Sequence, residues 1–168
     1  MSGAVEALRN LSLRESLPAD ELRNILRYGL LYGPTFSPEL NVYDDLKNSG
    51  ELALLTNRSL RRSLARMDSR IEAMLMTQSD LTSVQQLDID SYIIDRIELR
   101  QIYGNDLGLD WIPIDTEQIL LFMSDIRFQN RILLKLDLVT QLDNNFSKVA
   151  TALEEVGQRI TIQLENSN

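Results

Sequence analysis

The chain has 168 residues, a formal net charge of −8, 43% apolar residues, and neither cysteine nor histidine. This length and composition predict one globular domain over residues 1–168, large enough to bury a core. The missing residue types exclude disulfides, thiolate or imidazole metal sites and the Ser-His and Cys-His catalytic arrangements, while the acidic charge disfavours nucleic-acid binding.

The sequence contains no segment that is long and apolar enough to span a membrane. Its longest wholly apolar run, Ile119–Met123, is far shorter than the roughly 20 residues that a spanning helix needs. Met1-Ser2-Gly3 lacks the basic and apolar stretches of a signal peptide, and we interpret it as a remnant of recombinant expression. We therefore expect any natural N-terminal anchor to be missing from this chain.

Apolar residues recur at helical spacing from the beginning of the chain, and no sustained strand pattern is found. The first predicted helix covers Ser2–Arg14. The second begins near Pro18, whose missing N–H needs no partner in a first turn, and ends at Gly33-Pro34. A short third helix is predicted from Ser37-Pro38-Glu39, with Ser37 as N-cap, to Gly50, which can adopt the positive φ of a C-terminal cap.

Two long helices are predicted to follow. The first extends over about residues 57–102, a stretch without proline or glycine, and we expect a kink or break in its polar middle, Thr77–Asp90. Its coiled-coil-like seam has spacings of four and three and consists of Leu60, Leu64, Met67, Ile71, Met74, Gln78 and Leu81. The turn Gly104–Gly108 separates it from the second helix, about 115–164, in which Asp115 is the N-cap and Gln118 occupies the third helical position.

The apolar stripe of the second long helix changes phase between Leu136 and Leu142, so we expect its two halves to face different partners. The second half carries Leu142, Phe146, Val149, Leu153, Val156 and Ile160. Amphipathic helices joined by a turn pack readily as an antiparallel hairpin. We therefore predict an all-α fold, in which the long hairpin and three shorter N-terminal helices form a four-helix-bundle-like domain that a homodimer could complete.

The segment Tyr43–Leu64 has the most distinctive pattern in the chain. A tyrosine, a leucine and a Ser-Gly turn precede an apolar patch and an asparagine that opens a Leu-Arg helix; the residues are Tyr43, Leu46, Ser49, Gly50, Leu52, Leu54, Leu55, Asn57, Leu60 and Arg61. The pattern resembles an uncharacterised family of small bacterial single-pass membrane proteins with a helical extracytoplasmic domain. The resemblance implies an N-terminal membrane anchor and a periplasmic location. Where that family often has an aromatic pair, this chain has Arg66-Met67.

This motif has two interpretations. In the structural one, a glycine ends one helix, leucines enter the core, and an asparagine caps the next helix. Gly50 has the first role, Asn57 has the third, and the leucines are Leu52, Leu54 and Leu55; Leu46, Ser49 and Leu60 complete the structural motif. In the functional one, Tyr43, Asn57 and Arg61 frame a small polar ligand-binding pocket, in which Arg61 is available to an anion.

The other charged clusters are explained without a ligand. Their acidic members are Asp88, Asp90, Asp95, Asp106 and Asp110, and their basic members are Arg58, Arg61, Arg62, Arg66 and Arg70. The acids match neither an EF-hand loop nor a di-metal helix, and the arginines have the spacing of a solvated helix face. We predict no metal site and no cofactor.

These observations favour a non-catalytic helical interaction or sensory module. We expect it to act outside the cytoplasm, on the periplasmic side of a bacterial inner membrane, through a protein partner or a second copy of itself. The alternative is a small-molecule-binding four-helix sensor domain similar to chemoreceptor input domains. Neither hypothesis includes an enzymatic activity or a nucleic-acid partner.

Overall fold

The structure, a computed structural model, describes residues 18–31, 33, 35–103, 107–110 and 112–165. Within these ranges all regular elements are helical and none is a strand, which confirms the predicted all-α class. The α-helices are α1 (Ala19–Asn24), α2 (Asn41–Asn48), α3 (Arg58–Ser83), α4 (Ser91–Ile94), α5 (Arg100–Tyr103), α6 (Thr116–Met123) and α7 (Ile126–Glu165). π-Helical turns cover Ile25–Leu30 and Val84–Asp90, and a 3₁₀ turn covers Glu51–Leu54. Among these described helices, none has the length and apolar character needed to cross a membrane.

Helix α1 begins close to where the sequence predicts it. The carbonyl of Pro18 accepts the N–H of Leu22 at 2.9 Å, so the proline precedes the helix at a place where it has no N–H to satisfy. The helix and its π-helical extension bury Leu22, Ile25, Leu26 and Leu30. The predicted helix over residues 2–14, Pro34 and most of the turn 104–108 lie outside the described residues.

The prediction that Ser37 caps the third helix is wrong. Helix α2 begins at Asn41, and its first backbone hydrogen bond runs from the N–H of Asp44 to the carbonyl of Leu40 at 2.8 Å. The preceding segment is not helical, and there the Gln78 side chain bonds both backbone groups of Phe36, at 2.6 and 3.2 Å. This long-range contact outweighs the local capping preference.

The first long helix stays helical as far as Ile94 and not to residue 102, because a bend separates α4 from α5. The predicted irregularity within Thr77–Asp90 is present as the π-helical turn that follows α3. The bend has a packing explanation, since Ile93, Ile97 and Ile102 are all at least 96% buried. On a straight helix, nine residues at about 100° each would place Ile102 half a turn away from Ile93.

The second long helix is interrupted at Ser124-Asp125, which separates α6 from α7. Asp115 caps α6 as predicted, since its Oδ1 accepts the N–H of Gln118 at 2.9 Å. Asp125 is a second cap, because its Oδ1 accepts the N–H of Arg127 at 2.8 Å and its other oxygen accepts the hydroxyl of Tyr92. The prediction of one continuous helix over 115–164 is therefore wrong at this point.

The described chain divides into two compact units. The first contains the residues up to Gly33 together with Ser79–Gln141, and the second contains Thr35–Gln78 together with α7 from Leu142 onward. The two halves of α7 thus pack against different parts of the chain, as the change of phase predicts. The prediction of a single domain is not tested by this division and stays a prediction.

The core of the first unit is formed mainly by isoleucines, leucines and aromatic rings. Its buried members are Leu22, Ile25, Leu26, Leu30, Ile89, Tyr92, Ile93, Ile97, Ile102, Ile119, Phe122, Phe128 and Ile132. The Tyr92 ring has guanidinium carbons of Arg96 and Arg131 at 3.8 and 4.4 Å from its centroid. These cation–π contacts and its hydrogen bond to Asp125 fix Tyr92 beside the cap of α7.

In the second unit, α7 packs against α3. Side chains of Arg66 and Glu155 form an ion pair at 3.1 Å, and those of Thr77 and Asn145 form a hydrogen bond at 3.0 Å. Residue numbers therefore rise along one helix as they fall along the other, and the two helices are antiparallel within this unit. The complete hairpin and the four-helix-bundle layout stay predictions.

A lysine lies in the core of the first unit, at the point where the α7 stripe changes phase. Lys135 is 1% exposed, and its Nζ donates to the carbonyl of Leu30 at 2.7 Å and to Oε1 of Gln85 at 2.6 Å. Gln85 Nε2 donates in turn to the Leu30 carbonyl at 2.8 Å and to Asp90. Lys135 thus satisfies a carbonyl that the end of a helical segment leaves without an intrahelical partner.

Because of this burial, the stability of the fold should depend on pH. Burial lowers the pKa of Lys135 from 10.5 to about 8, against the opposing effect of Asp90. Between these values the unfolded chain binds more protons than the folded one, so the free energy of unfolding rises with pH, by about 2 kcal/mol from pH 7.5 to 9.5. Urea denaturation across this range measures the change.

The matched variants for this measurement are Lys135→Met and Lys148→Met. The first removes the buried ammonium and should abolish the slope, whereas the second removes an exposed one and should retain it. A slope that survives in Lys135→Met would assign the pH dependence to another group. Far-UV circular dichroism confirms that both variants are folded before their slopes are compared.

Candidate functional site

The second unit contains a groove of about 410 Å³ between α2, the 3₁₀ turn and α3. Its lining consists of Tyr43 and Lys47 from α2, Leu52 and Ala53 from the turn, and Arg61, Leu64, Ala65, Asp68 and Ser69 from α3. The α3 residues are spaced so that they share one helix face, as do the two α2 residues four positions apart. We call this feature the α2–α3 groove.

The tight connection between α2 and the 3₁₀ turn depends on Gly50. This residue has φ 78°, and its N–H donates to the carbonyl of Lys47 at 3.3 Å. Side chains other than glycine rarely adopt this conformation. Ser49 supports the turn, because its hydroxyl donates to the carbonyl of Leu46 at 3.3 Å and accepts the N–H of Glu51 at 3.4 Å. The predicted C-terminal cap and Ser-Gly turn are confirmed.

The charges of the groove are unevenly paired. Lys47 Nζ lies 2.5 Å from Oδ2 of Asp68, and this hydrogen bond raises the pKa of the lysine. The guanidinium of Arg61 forms no ion pair or hydrogen bond with any residue that the structure describes, although it lines the same groove. The lining therefore contains two cations and one anion, and its surplus positive charge belongs to Arg61.

Tyr43 contributes a phenol to the same groove. Partial burial, and after it the negative charge of Asp68, raise the pKa of this hydroxyl, so it remains protonated at neutral pH. A protonated phenol both donates and accepts hydrogen bonds. Together with the leucine and alanine side chains, these groups give the groove a lining that is partly apolar and partly charged and hydrogen-bonding.

The structure brings two of the three predicted ligand-binding residues together. Tyr43 and Arg61 line the groove, whereas Asn57 does not. Asn57 Oδ1 instead accepts the N–H groups of Ser59 and Leu60 at 3.0 and 3.1 Å, and Nδ2 donates to Gln163 at 2.7 Å. For Asn57, the structural interpretation of the motif is the correct one.

The leucines of the motif differ in how much of each side chain is exposed. Leu60 is buried, Leu52 and Leu55 are half-buried, and Leu46 lies at the surface. Leu54 is 77% exposed, so the prediction that it enters the core is wrong. The 3₁₀ turn faces outward at this position, because the glycine-dependent reversal before it brings Leu52 and not Leu54 toward α3.

Sequence reasoning missed Lys47, Asp68 and Ser69 as groove residues. The spacing in the sequence could have indicated two of them. Lys47 shares a face of α2 with Tyr43, and Asp68 lies seven residues after Arg61 and therefore on the same face of α3. Nothing local indicates that these two faces meet. The contact between the two faces depends on the geometry of the turn at Gly50. The sequence predicts a glycine turn there but not the direction in which it sends the chain.

Within the described residues, no group of three or more acidic side chains is arranged to hold a metal ion. Comparison with protein-family profiles, with curated proteins and with solved structures finds no match to this chain. The groove must therefore be interpreted from its own chemistry.

Replacement of the Asn57 cap tests its structural role. Asn57→Ala removes the acceptor for two N–H groups at the start of α3, and the free energy of unfolding should fall by about 1 kcal/mol. Asn57→Asp retains the capping oxygen and should recover most of this loss. Urea denaturation measures all variants, with Asn144→Ala, an exposed change within α7, as the control; an unchanged stability of Asn57→Ala would contradict the capping role.

Proposed function

We propose that the protein is a non-catalytic helical interaction module that associates with a second copy of itself through α7. The observation that supports this proposal is an unpartnered seam on the second half of the helix. Its members follow spacings of three, four, three and four and are all exposed: Ala150, Leu153, Gly157, Ile160 and Leu164. This is the spacing by which helices pair in coiled coils.

The seam lies beside the face that packs against α3. Of the stripe predicted for this half, Leu142, Val149 and Val156 are buried, whereas Leu153 and Ile160 are 47% and 43% exposed. Leu164 is 62% exposed. A row of apolar side chains in water at such a spacing favours a helical partner, since burial of apolar surface drives association.

The size pattern of the seam is complementary to itself. A Cβ on Gly157 would have no neighbouring atom within 4 Å, so this position is open to a partner helix. If two copies cross antiparallel at Gly157, positions equally far before and after this glycine lie opposite each other, so Ala150 faces Leu164 of the other copy and Leu153 faces Thr161, which adjoins Ile160. The small Ala150 then faces a large residue, the two glycines face each other at the twofold axis, and this symmetry gives both copies the same contacts.

A charged side chain introduced into the seam tests the association. Ile160→Glu should weaken dimerisation by about a hundredfold or more, because a carboxylate would be buried without a partner. Gln158→Glu adds the same charge at an exposed position outside the seam and should have little effect. Sedimentation velocity over a range of concentrations measures the dimer fraction of each variant.

The orientation can be tested by disulfide formation, because these 168 residues contain no cysteine. An antiparallel dimer should crosslink a mixture of Ala150→Cys and Leu164→Cys chains, and neither variant alone. A wild-type chain that stays monomeric at all concentrations would refute self-association, and Ala150→Cys chains that crosslink with each other would refute the antiparallel arrangement.

We also propose that this module is attached to the periplasmic side of a bacterial inner membrane. The support is the resemblance of the segment Tyr43–Leu64 to the single-pass membrane family described above. The full natural gene should encode about 20 consecutive apolar residues upstream of Val5. A C-terminal alkaline phosphatase fusion of that gene should be active, because this enzyme requires export; an inactive phosphatase fusion beside an active cytoplasmic reporter would refute the location.

The second candidate function is that of a small-molecule sensor. The α2–α3 groove favours it, because two residues predicted to bind a ligand, Tyr43 and Arg61, line one cavity. This function is compatible with self-association, since the groove and the seam comprise different residues. It differs from the first in its requirement for a ligand.

A further inference from the structure

We infer that the α2–α3 groove binds a small organic monoanion, namely a carboxylate attached to an apolar body, with Arg61 as the anion-binding residue. The inference rests on the second function proposed above and extends it by naming the class of ligand. It follows from the charge balance of the groove, from the hydrogen-bonding groups left free there, and from the apolar side chains that line the same groove.

Charge balance determines the sign of the ligand. Lys47 and Asp68 neutralise each other in their ion pair, in which the lysine side chain is 45% and the aspartate side chain 20% exposed. Arg61 has no such partner among the described residues, while the neighbouring Arg66 is paired with Glu155. One uncompensated guanidinium matches one carboxylate, which it can bind through two parallel hydrogen bonds.

Tyr43 provides a further donor. Its hydroxyl forms no hydrogen bond with the residues that the structure describes, and it shares the groove with Arg61. A carboxylate has two oxygens that accept hydrogen bonds, so it can use a phenol beside a guanidinium. Asp44 and Glu72, whose negative charges also act on the Tyr43 hydroxyl, would repel a dianion and thereby favour a ligand with a single negative charge.

The apolar part of the lining sets the character of the rest of the ligand. Leu52, Ala53, Leu64 and Ala65 contribute apolar surface to a groove of about 410 Å³. This volume is near the lower end of the range for small-molecule sites, which are mostly apolar with a few fixed polar groups. A short alkyl or aryl carboxylate meets both requirements, whereas acetate lacks the apolar body.

Hexanoate, hexylamine and hexanol are suitable probes because they share one apolar body and differ in charge. Binding to the full chain is measured by isothermal titration calorimetry and by ¹H–¹⁵N NMR shifts. Hexanoate should bind with amide shifts concentrated at the groove, and acetate should bind about tenfold or more weakly, because it lacks the buried methylenes. The amine and the alcohol should bind more weakly than hexanoate.

Arg61→Gln should weaken hexanoate binding about tenfold or more, because the guanidinium is removed. Arg62→Gln is the matched control, since Arg62 is an exposed neighbour on α3 that does not line the groove. Equal binding by both variants would overturn the role of Arg61. Circular dichroism verifies that each variant is folded.

The outcomes also separate this inference from the function on which it rests. If hexylamine or hexanol binds in the groove as tightly as hexanoate does, the ligand class is wrong and a sensor function stands. If none of the three probes shifts the groove amides at millimolar concentration, the sensor function fails together with this inference. Self-association through α7 is measured independently and is unaffected by either result.

Discussion

The requirement that α7 bury an apolar stripe along 40 residues organises the rest of the structure. Isolated helices gain little stability in water, so a helix of this length depends on its tertiary contacts. In its first half the buried residues include Phe128, Ile132 and Val139, and in its second half they include Val149 and Val156. The two sets belong to two different compact units, in which α7 packs against different parts of the chain.

Lys135 shows how strongly this burial constrains the core. A positive charge in the core is unfavourable, and the depressed pKa of the ammonium reflects this penalty. The lysine is tolerated because the carbonyl of Leu30 and the side-chain oxygen of Gln85 accept hydrogen bonds from its ammonium group. Gln85 belongs to the π-helical turn Val84–Asp90, and Leu30 is the last residue of the π-helical turn Ile25–Leu30. The polar cluster around Lys135 therefore joins the two irregular helical segments of the first unit.

Local features could be predicted from the sequence because their physical causes are local. Asp115 and Asn57 cap the helices that follow them, and Gly50 adopts positive φ, since in each case a side chain or its absence acts on the adjacent backbone. Ser37 was mispredicted because Gln78, 41 residues away in the sequence, determines the backbone around it. The break before α5 was not predicted either, because the burial of Ile93 and Ile102 on one side causes it, and not a proline or glycine.

The same distinction between local and long-range causes applies to the candidate site. Tyr43 and Arg61 could be selected by residue type, since a phenol and a guanidinium near a glycine turn suggest an anion site. Their meeting, and the participation of Lys47 and Asp68, could not be predicted, because they depend on how two helix faces approach each other across the turn. Leu153 and Ile160, which belong to the exposed seam on α7, are predicted from the sequence as part of a buried stripe, since spacing alone cannot tell which side of a helix finds a partner.

In the second unit, residues of α3 that line the groove alternate along the helix with residues that contact α7. Leu64 and Ala65 line the groove, while Ser63 and Arg66 on either side of them bond to Glu155 of α7 at 3.3 and 3.1 Å. Because packed helices are nearly incompressible, a shift of α3 at the groove must also be felt at α7. A ligand in the groove and a partner on the α7 seam would therefore act on one rigid helix pair. Any coupling between them has to be reciprocal, so that whatever the ligand does to association, association does to the affinity for the ligand.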